Sequence, residues 1–339
     1  MNLYEHQASN RRRTWLVMIV FVGLVLFLGL GFDTASFSAQ GVFIPIGTVA
    51  ALLCGGSTAA YSYFNGDRAV LASSKAVDLD TAVADSPDRV ELRQFQNVVD
   101  EMAIAAGLPR PRAYLVADPD ANAFATGRDP QHASIAVTEG LLKVLNREQL
   151  QGVVAHEMSH IRNYDIRLMT LVAALIGAVA LLSDWAARGW RYGAFRGRSG
   201  GSKSGGKKGG GAIVLVLLVV WVVAILVAPL VARVLATTVS RKREFLADAT
   251  AAELTRNPGA LADALEIIET QASPTIAIKQ GSAHLCIADP LGRPINEKRG
   301  LWSDLFATHP PMHERIAALR GMAFQGSGIR DQGPWTEDP

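Results

Sequence analysis

Two histidines four residues apart flank Glu157 in the stretch His156-Glu157-Met158-Ser159-His160. On a helix, residues four apart share one face, so both imidazoles can turn a nitrogen to one metal ion. Zinc is the default ion for such a pair. It takes nitrogen ligands, is tetrahedral, and keeps an open position where it acts in catalysis. Glu157 is placed to take a proton from an attacking water. The same pattern can arise by chance in a helix with two surface histidines, so the context decides. Asn146 is a good N-cap with Gln149 three positions on, and Leu150, Val153, Val154, Met158 and Ile161 form an apolar stripe near helical spacing. The pattern predicts a helix that begins just before the motif.

A catalytic zinc site takes a third protein ligand. Residues 240–248 read as a second helix, with Glu244 and Asp248 four apart on one face. Glu244 is the candidate ligand. Asp248 is the candidate acceptor for the distal nitrogen of a ligand histidine, which fixes the tautomer of the ring. Glu244 lies 84 residues beyond His160, so the two helices must meet in space. A solvated helix with ordinary charge pairs is the competing reading of this segment.

Three blocks now stand together: HEMSH at 156–160, REFLAD at 243–248, and Phe306-Ala307-Thr308-His309-Pro310-Pro311 followed by Glu314-Arg315-Ile316. Together they resemble the M48 family of membrane zinc metallopeptidases, over most of residues 85–320. Within that family the chain is similar to the HtpX-type bacterial heat-shock proteases. The resemblance implies a zinc-dependent endopeptidase with one Zn2+ per subunit and an active site on the cytoplasmic side of the bacterial inner membrane. It implies polypeptide substrates, namely misfolded or damaged membrane proteins, and a place in protein quality control. The implied fold is mainly α with a small β-sheet (α+β), a zincin-like metallopeptidase domain attached to transmembrane helices.

The resemblance also suggests roles outside the metal ligands. It packs the HPP block near the site, where His309, or Arg315 behind it, steadies the oxyanion or positions substrate. A turn leading into a helix is the alternative for this block. Asn122 resembles a family motif position and is a candidate substrate contact, with a turn-forming asparagine as the alternative. In peptidases of this kind a strand beside the metal helix can take substrate as an added strand. Residues 133–138, centred on Ala136, are expected in that role, against a plain internal strand. Asn163 and Asp165 either orient the site or simply end the helix.

The elements that must carry these residues follow from the rest of the chain. Of 339 residues, 49% are hydrophobic and 19% charged, with a mean hydropathy of +0.19, apolar for a soluble protein. A net charge of +2 gives no ground for nucleic-acid binding. Two cysteines, Cys54 and Cys286, are expected as free thiols. Residues 1–67 read as an N-terminal hairpin with spans at about 15–31 and 42–64, joined by a loop over 32–41. Arg11, Arg12 and Arg13 before it, and Arg68 and Lys75 after it, place both flanks in the cytoplasm.

Residues 68–166 are the first part of the peptidase domain: a helix over 88–107, short strands near 114–116, 122–127 and 134–138, then the metal helix. Residues 167–237 read as a second apolar hairpin, about 168–183 and 212–236, around a basic Gly/Ser loop at 186–211. If that hairpin crosses, its basic loop lies outside, against the positive-inside tendency; a loop lying on anionic lipid is the alternative. Residues 238–324 complete the domain, with helices over 259–271 and 312–319 and an irregular stretch at 272–300 that contains His284, read as a surface group. Residues 325–339 read as a mobile tail. Two other functions compete: a prenyl-protein-processing membrane peptidase, and a non-catalytic membrane adaptor with a structural zinc site, which would normally need four protein ligands.

Overall fold

The computed structural model describes residues 3–40, 44–79, 89–177, 241–271, 276–278, 283–288 and 310–328. Helix α1 covers Leu3–Gln40 and α2 covers Ile46–Ser73. Helix α1 continues through residues 32–40, where the sequence suggests a loop. No glycine or proline interrupts that stretch, and Thr34 bonds back to the Gly31 carbonyl at 2.9 Å. The start of α2 has no capping side chain at Pro45. Instead the Asp33 carboxylate, from α1, accepts the Gly47 and Thr48 amides at 2.7 Å each. These are two of the orphan donors that any helix start leaves. Helix α2 runs past Phe64 through a kink at Asn65, where φ is −128°, to Ser73. Large apolar side chains of both helices face outward, among them Trp15, Ile19, Phe27, Leu53 and Phe64. Among the described residues one helical segment, Gln7–Gly31, is long and apolar enough to cross a membrane.

The sheet is built from β1 (Val77–Asp78), β2 (Arg112–Val116), β3 (Ala123–Gly127) and β4 (Ala133–Thr138). Its order is β1-β2-β4-β3, with β2 and β4 parallel and the other neighbours antiparallel. Helix α3 (Arg89–Ala106) precedes β2, and a short α4 (Glu139–Val144) follows β4. Both faces of the sheet are covered. Ala123, Ala125, Ile135 and Val137 pack with α3 residues such as Phe95 and Val99, while Phe124 and Ala136 face Val70, Leu71 and Met169. Side chains alternate with a period of two, and burial of both faces is why these strands read as unbroken apolar runs.

Helix α5 (Arg147–Arg162) lies at the centre, with every residue from Gly152 to Ile161 buried. Its start is a complete capping box. Asn146 Oδ1 accepts the Gln149 amide, Gln149 Oε1 accepts the Asn146 amide, both at 3.0 Å. A Cβ on Gly152 would lie 3.0 Å from Leu261 Cα, so glycine here lets α5 and α8 (Pro258–Thr270) approach closely. A further helix, α6, covers 165–177, and its Leu168, Leu171 and Val172 pack against Val17 and Phe21 of α1 and Ala59 of α2. The third apolar run is therefore helical as far as 177. Its remainder, the loop at 186–211 and the fourth run lie outside the described residues. Helix α7 covers Arg241–Thr255, and α9 covers Met312–Gly328. The last helix thus extends beyond Leu319 into the segment expected as tail; residues 329–339 lie outside the description.

Candidate metal centre

Helices α5 and α7 cross so that His156, His160 and Glu244 meet. One potential ligand atom from each lies within 4.8 Å of the others, and all three residues are buried. The two Nε2 atoms are 3.2 Å apart. For metal–nitrogen bonds of about 2.0–2.1 Å at tetrahedral angles, two ligand nitrogens should stand roughly 3.3–3.4 Å apart. Glu244 sits 3.8 Å from His156 Nε2 and 3.7 Å from His160 Nε2, within reach of the same point.

Each imidazole has a carboxylate behind it. Nδ1 of His156 is 2.9 Å from Asp248 Oδ1, and Nδ1 of His160 is 3.0 Å from Asp165 Oδ2. A Nδ1–H donated to each carboxylate leaves both Nε2 lone pairs aimed inward, the tautomer a metal needs. Each carboxylate is held in turn. Arg315 grips Asp248 through two bonds, Nε to Oδ2 at 2.8 Å and Nη2 to Oδ1 at 2.7 Å, while its Nη1 donates to the Ile287 carbonyl at 3.1 Å. Asp165 Oδ1 accepts from Asn10 Nδ2 at 2.7 Å and faces Arg243 Nη1 at 3.4 Å. Asp165 reaches back to His160 because Asn163 closes α5 and Tyr164, at φ 60°, reverses the chain before α6.

The charge balance tests whether a metal fits. Among the described residues the site buries four carboxylates, Glu157, Asp165, Glu244 and Asp248, and two guanidinium groups, Arg243 and Arg315. With neutral imidazoles this leaves two negative charges in excess, the charge of one divalent cation. Proton affinities follow the same imbalance. Burial pushes Glu157 up to about 7, with Glu244 adding to it, and neither oxygen completes a hydrogen bond of normal geometry with another described residue. Burial works against a charged His160, yet Asp165 and Glu244 outweigh it and raise the ring to about 9. Burial and the Arg315 charge together hold His156 below its usual range. Burial also opposes ionisation of Asp248, but Arg315 overrides it and brings that carboxyl down to about 2. Two nitrogens and one carboxylate, in a pocket where buried carboxylates outnumber guanidinium groups among the described residues, make a donor set suited to a divalent metal such as zinc.

Residues 90–323 match Peptidase family M48. The chain belongs to peptidase family M48. It is 39% identical over 322 residues to the protease HtpX homolog of Caldanaerobacter subterraneus subsp. tengcongensis, covering 95% of this chain and 98% of that relative. The protease HtpX homolog of Streptococcus pneumoniae is 38% identical, over 94% of this chain and all of its own length. That of Tropheryma whipplei is 39% identical, over 95% and 99%. The crystal structure of S. mikatae Ste24p aligns with 93% of this chain and 67% of its own at 17% identity and a TM-score of 0.42. The M48 chain is thus a protease with an α+β fold, mostly helical around a small mixed sheet.

The structure corrects several expectations about this peptidase. Strand β4 cannot take substrate as an added strand, since both its edges are used: Ala136 pairs with Tyr114 on one side and Phe124 on the other. The Ala136 side chain is itself fully buried. Asn122 is also enclosed. Its Nδ2 donates to the Ala288 carbonyl at 3.1 Å and its Oδ1 accepts the Ala123 amide at 3.1 Å, so it latches residues 283–288 to the entry of β3. Arg315 is 0% exposed and stands against Asp248, with Nη2 3.4 Å from His156 Nδ1 and Nη1 3.6 Å from Glu244 Oε2. His284 is buried, not on the surface, and its Nε2 donates to the Met169 carbonyl at 3.0 Å. His309 lies outside the described residues. Cys54 and Cys286 form no disulfide, and Cys286 is buried where it bridges to Phe124 of β3. The anchoring of His160 by Asp165 had a signal, a carboxylate five residues beyond the second histidine. Asn10 and Arg243 had none.

Proposed function

We propose that this M48 protease is a membrane-bound zinc-dependent endopeptidase that cleaves misfolded or damaged membrane proteins from the cytoplasmic face of the bacterial inner membrane. The observation that carries the reading is the convergence of His156, His160 and Glu244 with Glu157 buried beside them. His156, His160 and Glu244 hold the zinc, which when bound polarises a carbonyl and acidifies water. Glu157 takes the proton of the attacking water and delivers it to the departing amine. A cation held by those three residues favours the ionised form of Glu157, the form a base needs. Asp248 and Asp165 keep the two rings in the ligand tautomer. Strand β3 ends the sheet and borders α5, with the Ala125 amide toward Glu157.

The membrane part of the reading is supported by the Gln7–Gly31 segment and by the outward-facing apolar side chains of α1 and α2, which water would leave unburied. Three arginines before that segment's apolar run favour a cytoplasmic N-terminus. The substrate class follows the relatives, named as HtpX-type proteases. The test is Glu157→Gln in the full chain, assayed for zinc content and for cleavage of an unfolded polypeptide. Zinc should stay and cleavage should fall by roughly 100-fold or more. Unchanged cleavage would remove Glu157 from the mechanism, and a chain without zinc would remove the mechanism itself.

A further inference from the structure

The two metal-binding rings are secured in different ways. Behind His156 stand Asp248 and then Arg315, all within the peptidase domain. Behind His160 stands Asp165, and the short contact to Asp165 comes from outside that domain, from the N-terminal helix. Asn10 Nδ2 reaches Asp165 Oδ1 at 2.7 Å, against 3.4 Å for Arg243. The same amide nitrogen reaches the Asn163 carbonyl at 3.0 Å, and Asn10 Oδ1 accepts from Arg243 Nη1 at 3.3 Å. Asn10 is 4% exposed, and every side-chain bond it makes points at the end of α5 or at the residue beside Glu244. An amide is the one side chain of this size that offers two donors and an acceptor together.

One turn earlier on α1, Gln7 Nε2 donates to the Arg162 carbonyl at 3.0 Å. Helix α1 thus covers orphan carbonyls at the end of the metal helix, whose last turn carries His160. We propose that Asn10 is a positioning residue for the metal centre: it fixes Asp165, and through Asp165 the plane and tautomer of His160. The proposal rests on the zinc reading above. Its consequence is that the segment entering the membrane is part of the metal site. A displacement of the first turns of α1 loosens the hold of His160 on its ion.

The test uses the full chain in detergent and measures zinc affinity by competition with a chromophoric chelator, together with the visible spectrum of the Co2+-loaded protein. Loss of a partner behind a metal-binding histidine typically weakens the ion by 10–100-fold. Asp165→Ala should fall in that range, and Asn10→Ala should weaken zinc by about tenfold. The double variant should be no weaker than Asp165→Ala alone, because the two act on one path. Asn10→Asp, equal in size but facing Asp165 with a like charge, should weaken zinc at least as much, and it decides the matter if Asn10→Ala does not fold. Gln7→Ala, which loses a bond of the same helix without touching Asp165, should keep wild-type affinity and an unchanged Co2+ spectrum. Wild-type affinity in both Asn10 variants, or an additive double variant, overturns the proposal. A wild-type chain that binds no zinc overturns instead the metallopeptidase reading, so the two failures are distinct.

Discussion

Zinc affinity should rise steeply with pH. Without the ion, the site restores neutrality with protons, one on His160, which titrates near 9, and one on Glu157, which titrates near 7. His160 must give up its proton to offer Nε2, and a cation beside Glu157 favours the ionised carboxylate. Protons therefore compete with zinc, and affinity falls as pH falls. Between about pH 8 and pH 6 a group titrating near 9 costs roughly 100-fold and one near 7 a further tenfold, in all about 1,000-fold or ~4 kcal/mol. The assay is chelator competition at constant ionic strength across that range. Glu157→Gln removes one of the two protons, so its affinity should fall only about 100-fold over the same interval. An affinity independent of pH, or a Glu157→Gln variant as steep as the wild type, would refute the proton balance.

Arg315→Met leaves Asp248 buried without its two-bond partner. Breaking one side of a buried pair typically costs about 3–5 kcal/mol, so the apo protein should melt well below wild type. Adding Asp248→Asn should recover part of that loss, and an Arg315→Met chain that melts like wild type would mean that the guanidinium is not buried against Asp248. Asn146→Ala removes the cap of α5 and should cost about 1 kcal/mol in denaturant unfolding, with zinc affinity unchanged, because the cap stands at the opposite end of the helix from His160.

The parts of this site that could be read from sequence are those set by local geometry. His156 and His160 share a face because a helix repeats every 3.6 residues, and Asn146 with Gln149 marks where that helix starts. Asp248 was legible for the same reason, one turn beyond Glu244 on α7. What could not be read depends on pairing between distant segments. Strand β4 follows β3 in the chain and precedes the metal helix, which made it the natural candidate for the outer strand. The sheet instead inserts β4 between β2 and β3, and nothing in residues 133–138 encodes that order. Arg315 belongs to the third of the three blocks and His284 to an irregular stretch, but neither stretch encodes the burial of its side chain. Their burial depends on Asp248, 67 residues earlier, and on the Met169 carbonyl, 115 residues earlier. The loop expected over 32–41 failed for a different reason: a change to polar residues ends a hydrophobic run without ending a helix.

The arrangement around His156 and His160 is hard to explain as packing. Removing a carboxylate from water costs several kcal/mol, and a buried ion pair seldom returns more than a well-packed apolar pair. Among the described residues four carboxylates are buried here against two guanidinium groups, a combination that weakens the fold unless something else supplies positive charge. Protons supply it at neutral pH by occupying His160 and Glu157, the residues needed as ligand and as base. A divalent cation supplies it with both left unprotonated. The excess of carboxylates therefore serves two ends at once. It draws the ion into a nonpolar interior, and it frees the two groups that the reaction needs in their unprotonated forms.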